Sequence, residues 1–263
     1  QGIPENPTLE DLAPLIEVVH HACQCGGCDE AESIRWERID RRSEGYIVNK
    51  LGAWETQLEI MREFFPGGDI SQEPRVSSPR DKGWILNEVG LCLDGTGRGN
   101  LADPFYGRSQ AIALESRDLS NACANYQNLS DLHWTQGYLA RSLQAAGQAL
   151  NLSRRAGRKD HECASLARRA WAYHLQGDLD NARRYFQDAE ARGRELDPSK
   201  SHLYSDIGIR NADHLRRRAE AGYARKVTEA NLDICKRNHW IYSMSQCHRV
   251  LADLSADAGQ QEE

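Results

Sequence analysis

A chain of 263 residues that is 40% hydrophobic and 27% charged can bury a core, which excludes compositional disorder. Its net charge of −6 supplies no basic footprint for nucleic acid, and no apolar run approaches the roughly 20 residues that span a bilayer. Five of the eight cysteines (Cys92, Cys123, Cys163, Cys235 and Cys247) are scattered through helical patterns as small apolar residues, which fits a reducing cytoplasm better than a disulfide scaffold.

The opening, QGIPENPTLEDLAPL, is neither a signal peptide nor a methionine start, and reads as cut from a longer chain. PTLEDLAPLIEVVHHACQ and DEAESIRWERIDRRS then form a helical hairpin turning at Gly26-Gly27. Within it, HHACQCGGC offers His21, Cys25 and Cys28 as soft ligands, but a structural zinc wants four, and no second CxxC follows. A metal or redox element therefore stands as an alternative to a plain helix end. VNKLGAWETQLEIMREFF is expected as one further helix, and PGGDISQEPRVSSPRD as the one true loop. The organisation expected is a helical segment over 1–70, a loop over 71–82, an array over 83–258 and a tail over 259–263.

From Gly83 to Asp253 the sequence reads as consecutive helices of roughly 12 to 16 residues joined by short polar turns. Gly97, Gly137 and Gly177 fall 40 residues apart and mark the turns. The first pair, around WILNEVGLCLDGTG, has a turn loosened by glycines, and its second helix is expected to start at Asp103-Pro104. In the second pair Tyr126, Leu129, Leu132 and His133 face Ser142, Ala146, Ala149 and Leu150. In the third, Leu166, Ala170, Trp171 and Tyr173 face Ala182, Phe186 and Ala189. Gly177 ends the first helix of that pair and Asp178 caps the second. A fourth pair, SHLYSDIGIRNADHLRRR and YARKVTEANLDICKRN, is expected to turn near Gly222-Tyr223, and HWIYSMSQCHRVLADLS follows as a helix without a hairpin mate.

Aligned on their turn glycines, these pairs resemble tetratricopeptide (TPR) repeats. The third reads Leu166, Ala170, Tyr173, Gly177-Asp178, Ala182, Phe186, Ala189. The second reads Tyr126, Leu129, Ser130, His133, Gly137-Tyr138, Ser142, Ala146, Ala149. The resemblance covers Gly83 to Ala258 and implies an all-α, right-handed superhelical array of antiparallel helix pairs, a TPR-like α-solenoid. A period above the usual value of about 34 implies longer helices and inter-repeat loops such as SRRAGRKDHE.

The resemblance also implies which positions line the concave face and take a protein or peptide ligand. These are Trp84, Asn87, Glu88, Leu91 and Asp94; then Gln127, Asn128, Asp131, Trp134 and Thr135; then Arg168, Trp171, His174 and Leu175. Packing against a neighbouring repeat is the competing role for each. It is the expected one for Trp171, while Asn87, Asn128 and Arg168 remain open to both.

QGIPENPTLEDLAPLIEVVHHACQ, with ILNEVG and NLSDLH, resembles segments that follow the nucleotide-binding module of bacterial STAND-type (NACHT or NB-ARC) signalling ATPases. That resemblance implies a sensor region linked to a nucleotide-binding domain outside this chain; a freestanding adaptor is the alternative. The chain contains no GxxxxGK[ST] and no GxSxG, and the glycines of Gly95-Thr96-Gly97-Arg98-Gly99 follow no strand. No enzyme activity, catalytic residue or cofactor is expected, and neither nucleic acid nor membrane is expected as a partner. The oligomeric state stays open. Arg154-Arg155 and Arg216-Arg217-Arg218 read as solvated helix ends that complement the helix dipole.

Overall fold

The computed structural model describes residues 4–199 and 201–262, and among them there are thirteen α-helices and no strand. The first helix, α1 (Leu9–Gln24), begins at a reciprocal cap. The Asp11 amide donates to Thr8 Oγ1 at 3.3 Å, and the Thr8 amide donates to the Asp11 carboxylate at 2.9 Å. The chain turns at Gly26 (φ +85°) into α2 (Cys28–Ile34), which runs on into a π-helical turn over Arg35–Ile39. The hairpin expected here is present.

The single helix expected at VNKLGAWETQLEIMREFF is instead two, α3 (Tyr46–Asn49) and α4 (Trp54–Arg62). Gly52, at φ +66°, takes a left-handed conformation between them that a continuing helix cannot contain. After the loop, Ser78 caps α5 (Pro79–Gly95), and Pro79 occupies the first helical position, where its missing N–H costs nothing.

From here the chain is regular. The helices α5, α6 (Gly99–Glu115), α7 (Leu119–Thr135), α8 (Leu139–Arg155) and α9 (Lys159–Leu175) each have 17 residues. Three-residue turns join them to one another and to α10 (Leu179–Leu196), so a helix starts every 20 residues. Each turn closes the same way. A residue in the left-handed region donates back three positions and the next residue donates back five, as in Gly137 N–H to Trp134 O (3.0 Å) and Tyr138 N–H to His133 O (2.8 Å). That is the Schellman closure, and it consumes carbonyls the helix end would otherwise leave bare.

Two expectations fail on this regularity. SRRAGRKDHE is not a loop: it is the end of α8, a turn at 156–158 and the start of α9. The long period lies wholly in the helices, because Gly157 (φ +65°) turns the chain as tightly as the glycines on either side. Second, α6 begins at Gly99, not at Asp103-Pro104. The Arg98 N–H reaches Leu93 O at 2.7 Å and returns the chain to helix at once. Pro104 therefore sits inside α6. The bond it forgoes would have gone to Asn100, an exposed first-turn residue where water substitutes.

The remaining helices are α11 (Ser205–Arg217), α12 (Ala221–Asn238) and α13 (Ile241–Glu262). The α11–α12 turn is at Ala219 (φ +60°), and Gly222-Tyr223 follow it in the first turn of α12. The chain forms two compact units, one ending at Asn125 and the other starting at Tyr126, with the boundary inside α7.

In the first unit Leu12, Val19, Ile39, Leu58, Met61, Phe64, Ile85, Leu86 and Val89 are buried in a helical core. Gly90 lets α5 approach α6, since a Cβ there would lie 2.8 Å from the Tyr106 ring. In the second unit α9 and α10 close on Ala182 and Ala189, both fully buried, while Phe186 fills the space between Ala170, Trp171 and Leu166. Burying that ring contributes roughly 2–3 kcal/mol. The last helix, α13, packs Cys247, Val250 and Leu254 against Ile209 and Ala212 of α11 and Val227 and Cys235 of α12.

Candidate functional site

In the second unit one surface is built from the first helix of each pair. Its centre is Asp131 on α7, which α9 and α11 both reach. Arg168 of α9 donates through Nε and Nη2, each at 2.9 Å, to Asp131 Oδ2. Arg210 of α11 donates through Nη1 at 2.6 Å to Oδ1. The Trp134 indole N–H, one turn further along α7, also donates to Oδ1, at 3.2 Å. Asp206 lies 3.7 Å from Arg168 and 3.5 Å from Arg210, so two carboxylates and two guanidiniums alternate across three helices.

The Asp131, Arg168 and Arg210 side chains are only 21%, 13% and 15% exposed, so water screens these pairs poorly. Burial alone would raise the Asp131 carboxyl, but the two guanidiniums hold it below the ordinary carboxylate range. The same pairing holds Arg210 firmly charged against its own burial.

Aromatic rings extend this network. The Arg210 guanidinium lies over the Trp134 ring, 5.5 Å from its centroid. Trp134 meets Trp171 edge to face at 6.0 Å, and Trp171 stacks on His174 at 4.8 Å. A pocket of about 80 Å³ opens between Trp134, Trp171, Asp206, Arg210, Tyr242 and Gln246. Tyr242, at the start of α13, is two-thirds exposed at its edge. The surface thus offers a shallow aromatic recess beside oriented polar groups.

Of the residues expected on the concave face, the structure brings Asp131, Trp134, Arg168 and Trp171 together and turns others inward. Gln127 is buried and donates to Ser165 Oγ (2.9 Å) and His161 O (3.0 Å), tying α7 to α9. His174 is buried with its Nδ1 3.1 Å from that of His214. Trp171 is largely buried in the core of its pair. Asn128 is half-buried, Leu175 packs beneath the core, and the Thr135 hydroxyl donates to Leu132 O at 2.7 Å.

The first-unit residues have different surroundings. Trp84 meets Trp36 edge to face at 5.3 Å, Asn87 is buried, Leu91 and Asp94 are half-buried, and Glu88 borders a buried arginine. Gly97, Gly137 and Gly177 have positive φ in their turns, and Ala182, Phe186 and Ala189 are buried.

His21, Cys25 and Cys28 do not converge. Cys28 is buried with its Sγ toward Cys23 O, Cys25 is exposed at the helix end, and His21 lies beside Glu17. Among the described residues no three His, Cys, Asp or Glu side chains are grouped to hold a metal ion. The basic runs are not simply solvated either. Arg216 pairs with Asp213 (3.0 Å) and Asp257 (2.8 Å), and Arg154 with Glu162 (3.0 Å). Asp213 lies one turn back on the same helix, whereas Asp257 and Glu162 come from neighbouring helices, which a run of letters does not show.

Asp206, Arg210, Tyr242 and Gln246 are members of this surface that the sequence did not reveal. The loop before α11 breaks the 20-residue spacing, and the following turns use Ala219 and His239 instead of glycine. The register that selects inward positions is therefore lost just where these residues lie.

The sequence matches no protein-family model and no curated protein. Solved structures align with the chain. BtubC (BKLC) from P. vanneervenii aligns over 95% of this chain and 91% of its own, at 15% identity and a TM-score of 0.53. A Podosopora anserina protein with nearly identical TPR-like repeats, named as a kinesin light chain, aligns over 92% of this chain and 95% of its own, at 14% identity and a TM-score of 0.43. The fold is an all-α, TPR-like helical repeat. At such identities the likeness concerns fold alone. No helix among the described residues is long and apolar enough to cross a membrane.

Proposed function

We propose that the chain is a protein-interaction scaffold whose second unit docks an extended segment of a partner protein against Asp131, Trp134, Arg168, Asp206, Arg210 and Tyr242. The observation that carries this reading is the convergence of α7, α9, α11 and α13 on one surface, with half-buried ion pairs holding Trp134 beside a recess that Trp171 also lines. Helical-repeat folds use such surfaces for binding, and an exposed aromatic flanked by oriented polar groups is the usual anchor. The two guanidiniums are matched by two carboxylates, so recognition rests on ring contact and hydrogen bonding, with little net charge to steer a partner. Binding is accordingly expected to depend weakly on salt.

The test is Tyr242→Ala combined with Arg210→Ala, measured by crosslinking and affinity against partner candidates. The expected result is weakening by about tenfold or more with the circular dichroism spectrum preserved, consistent with truncating an interface anchor. Undiminished binding would refute the assignment.

The narrower reading, a sensor region of a bacterial STAND-type signalling protein, is supported by the resemblance of the opening helices and of ILNEVG and NLSDLH. Its test is the polypeptide upstream of Gln1. A GxxxxGK[ST] segment supports it, and a methionine immediately before Gln1 points to a freestanding adaptor instead.

A further inference from the structure

The first unit holds a buried charged cluster that the docking surface does not use. Arg35, in the π-helical turn, is fully buried. It donates to both Glu32 oxygens, Nε to Oε2 at 2.6 Å and Nη2 to Oε1 at 2.5 Å, and through Nη1 to Asp40. Gln57 of α4 donates to the same Asp40 oxygen at 3.0 Å. Glu88 of α5, half-buried, hydrogen-bonds the Gln57 side chain and feels the charges of Asp40, Arg35 and Glu32. The outer charges and titratable groups facing it are Asp81 and Cys92 of α5 and Glu55 of α4.

The count of charges does not balance. Two buried carboxylates, Glu32 and Asp40, and the half-buried Glu88 face one buried guanidinium, so full ionisation would leave two negative charges uncompensated at the edge of the core. The hydrogen bonding does not balance either, since Asp40 Oδ1 and Gln57 Oε1 are both buried acceptors without a donor. A proton on Glu88 answers both deficits: it removes one charge and supplies an O–H to an orphaned oxygen.

We infer that the Arg35 cluster is a proton-binding site, which holds one proton on the Glu88 carboxyl in the folded chain and loosens the packing of α2, α4 and α5 when that proton leaves. The electrostatics agree: burial, then the charge of Asp40, push Glu88 from its ordinary 4.5 up to about 7, and burial also raises Glu32 and Asp40. The folded chain thus binds this proton more tightly than the unfolded one. The stability it contributes is fully present below pH 4.5 and is lost as pH rises through 7.

The experiment is carbon-detected NMR of the glutamate carboxyls in the whole chain, with hydrogen exchange of the α2, α4 and α5 amides over about pH 5 to 8, corrected for intrinsic rate. The expected result is a Glu88 midpoint near 7 with protection falling across it, and a Glu88→Gln variant whose protection no longer changes over that range. A Glu88 midpoint below about 5 in the unmodified chain would overturn the assignment without reference to any variant. So would a Glu88→Gln profile that tracks the parent.

Discussion

At the scale of single residues, the turns show which positions the backbone controls. The α6–α7 reversal makes the same closure as its neighbours, with Asp118 N–H to Ala113 O at 2.8 Å, yet its left-handed residue is Arg117 (φ +57°) where the others have glycine. A side chain in that region pays for the crowding of its Cβ. Arg117→Gly is therefore expected to stabilise the chain by about 0.5–1 kcal/mol, and Gly177→Ala (φ +84°) to destabilise it by about 1 kcal/mol or more. Urea denaturation of the two variants, read as midpoint shifts of opposite sign, checks both. At Gly90 the limit is space. An added methyl would press on the Tyr106 ring, so Gly90→Ala is expected to cost about 1–3 kcal/mol by overpacking, seen in the same midpoint.

At the scale of elements, α9 and α11 meet through an imidazole pair. Only one of the facing Nδ1 atoms of His174 and His214 can carry a proton, and the Nε2 atoms are buried without partners. Burial, followed for His214 by its histidine neighbour and for His174 by Arg217, lowers each from 6.5 to about 4. Between those values the unfolded chain takes up protons that the folded chain refuses. The pair's contribution is thus complete above 6.5 and is lost as pH falls toward 4. On the order of 3 kcal/mol should be gone by about pH 4.5. The check is the urea midpoint of the α9–α11 region against pH. A flat profile would refute it, and His214→Phe is expected to flatten the slope. The sign is opposite to that of the Glu88 cluster, so acid and alkali should loosen different units.

At the scale of the whole molecule, the 20-residue spacing of helix starts makes the helix pair the unit of exchange. Deleting residues 139–178 removes one pair and rejoins α7 to α10 in the original sense, so the shortened chain is expected to keep its helicity and unfold cooperatively. It also loses Arg168 and Trp171, so on the proposed function it is expected to lose partner binding. Deleting 159–178 removes one helix, inverts those that follow, and is expected to lose cooperativity. Circular dichroism and thermal melts of the two deletions separate the outcomes.

The fold was largely legible because its signals are local. Gly97, Gly137 and Gly177 mark turns through backbone freedom alone, and the Ala182, Phe186 and Ala189 stripe fixes a helix–helix face by period. Each can be read within a few residues. What remained hidden depends on groups far apart in the chain. Asp131 becomes a centre only because Arg168 and Arg210 arrive from two other helices, and Gln127 leaves the surface only because Ser165 and His161 receive it. Arg35, which the sequence presents as one charge in a polar helix, is fully buried because Glu32 and Asp40 meet it. The sequence by itself determined the helices and their pairing, since these follow from propensity, period and turn chemistry. Only the tertiary structure decided which charges face water and which face each other, because that energy depends on distance and burial and not on order along the chain.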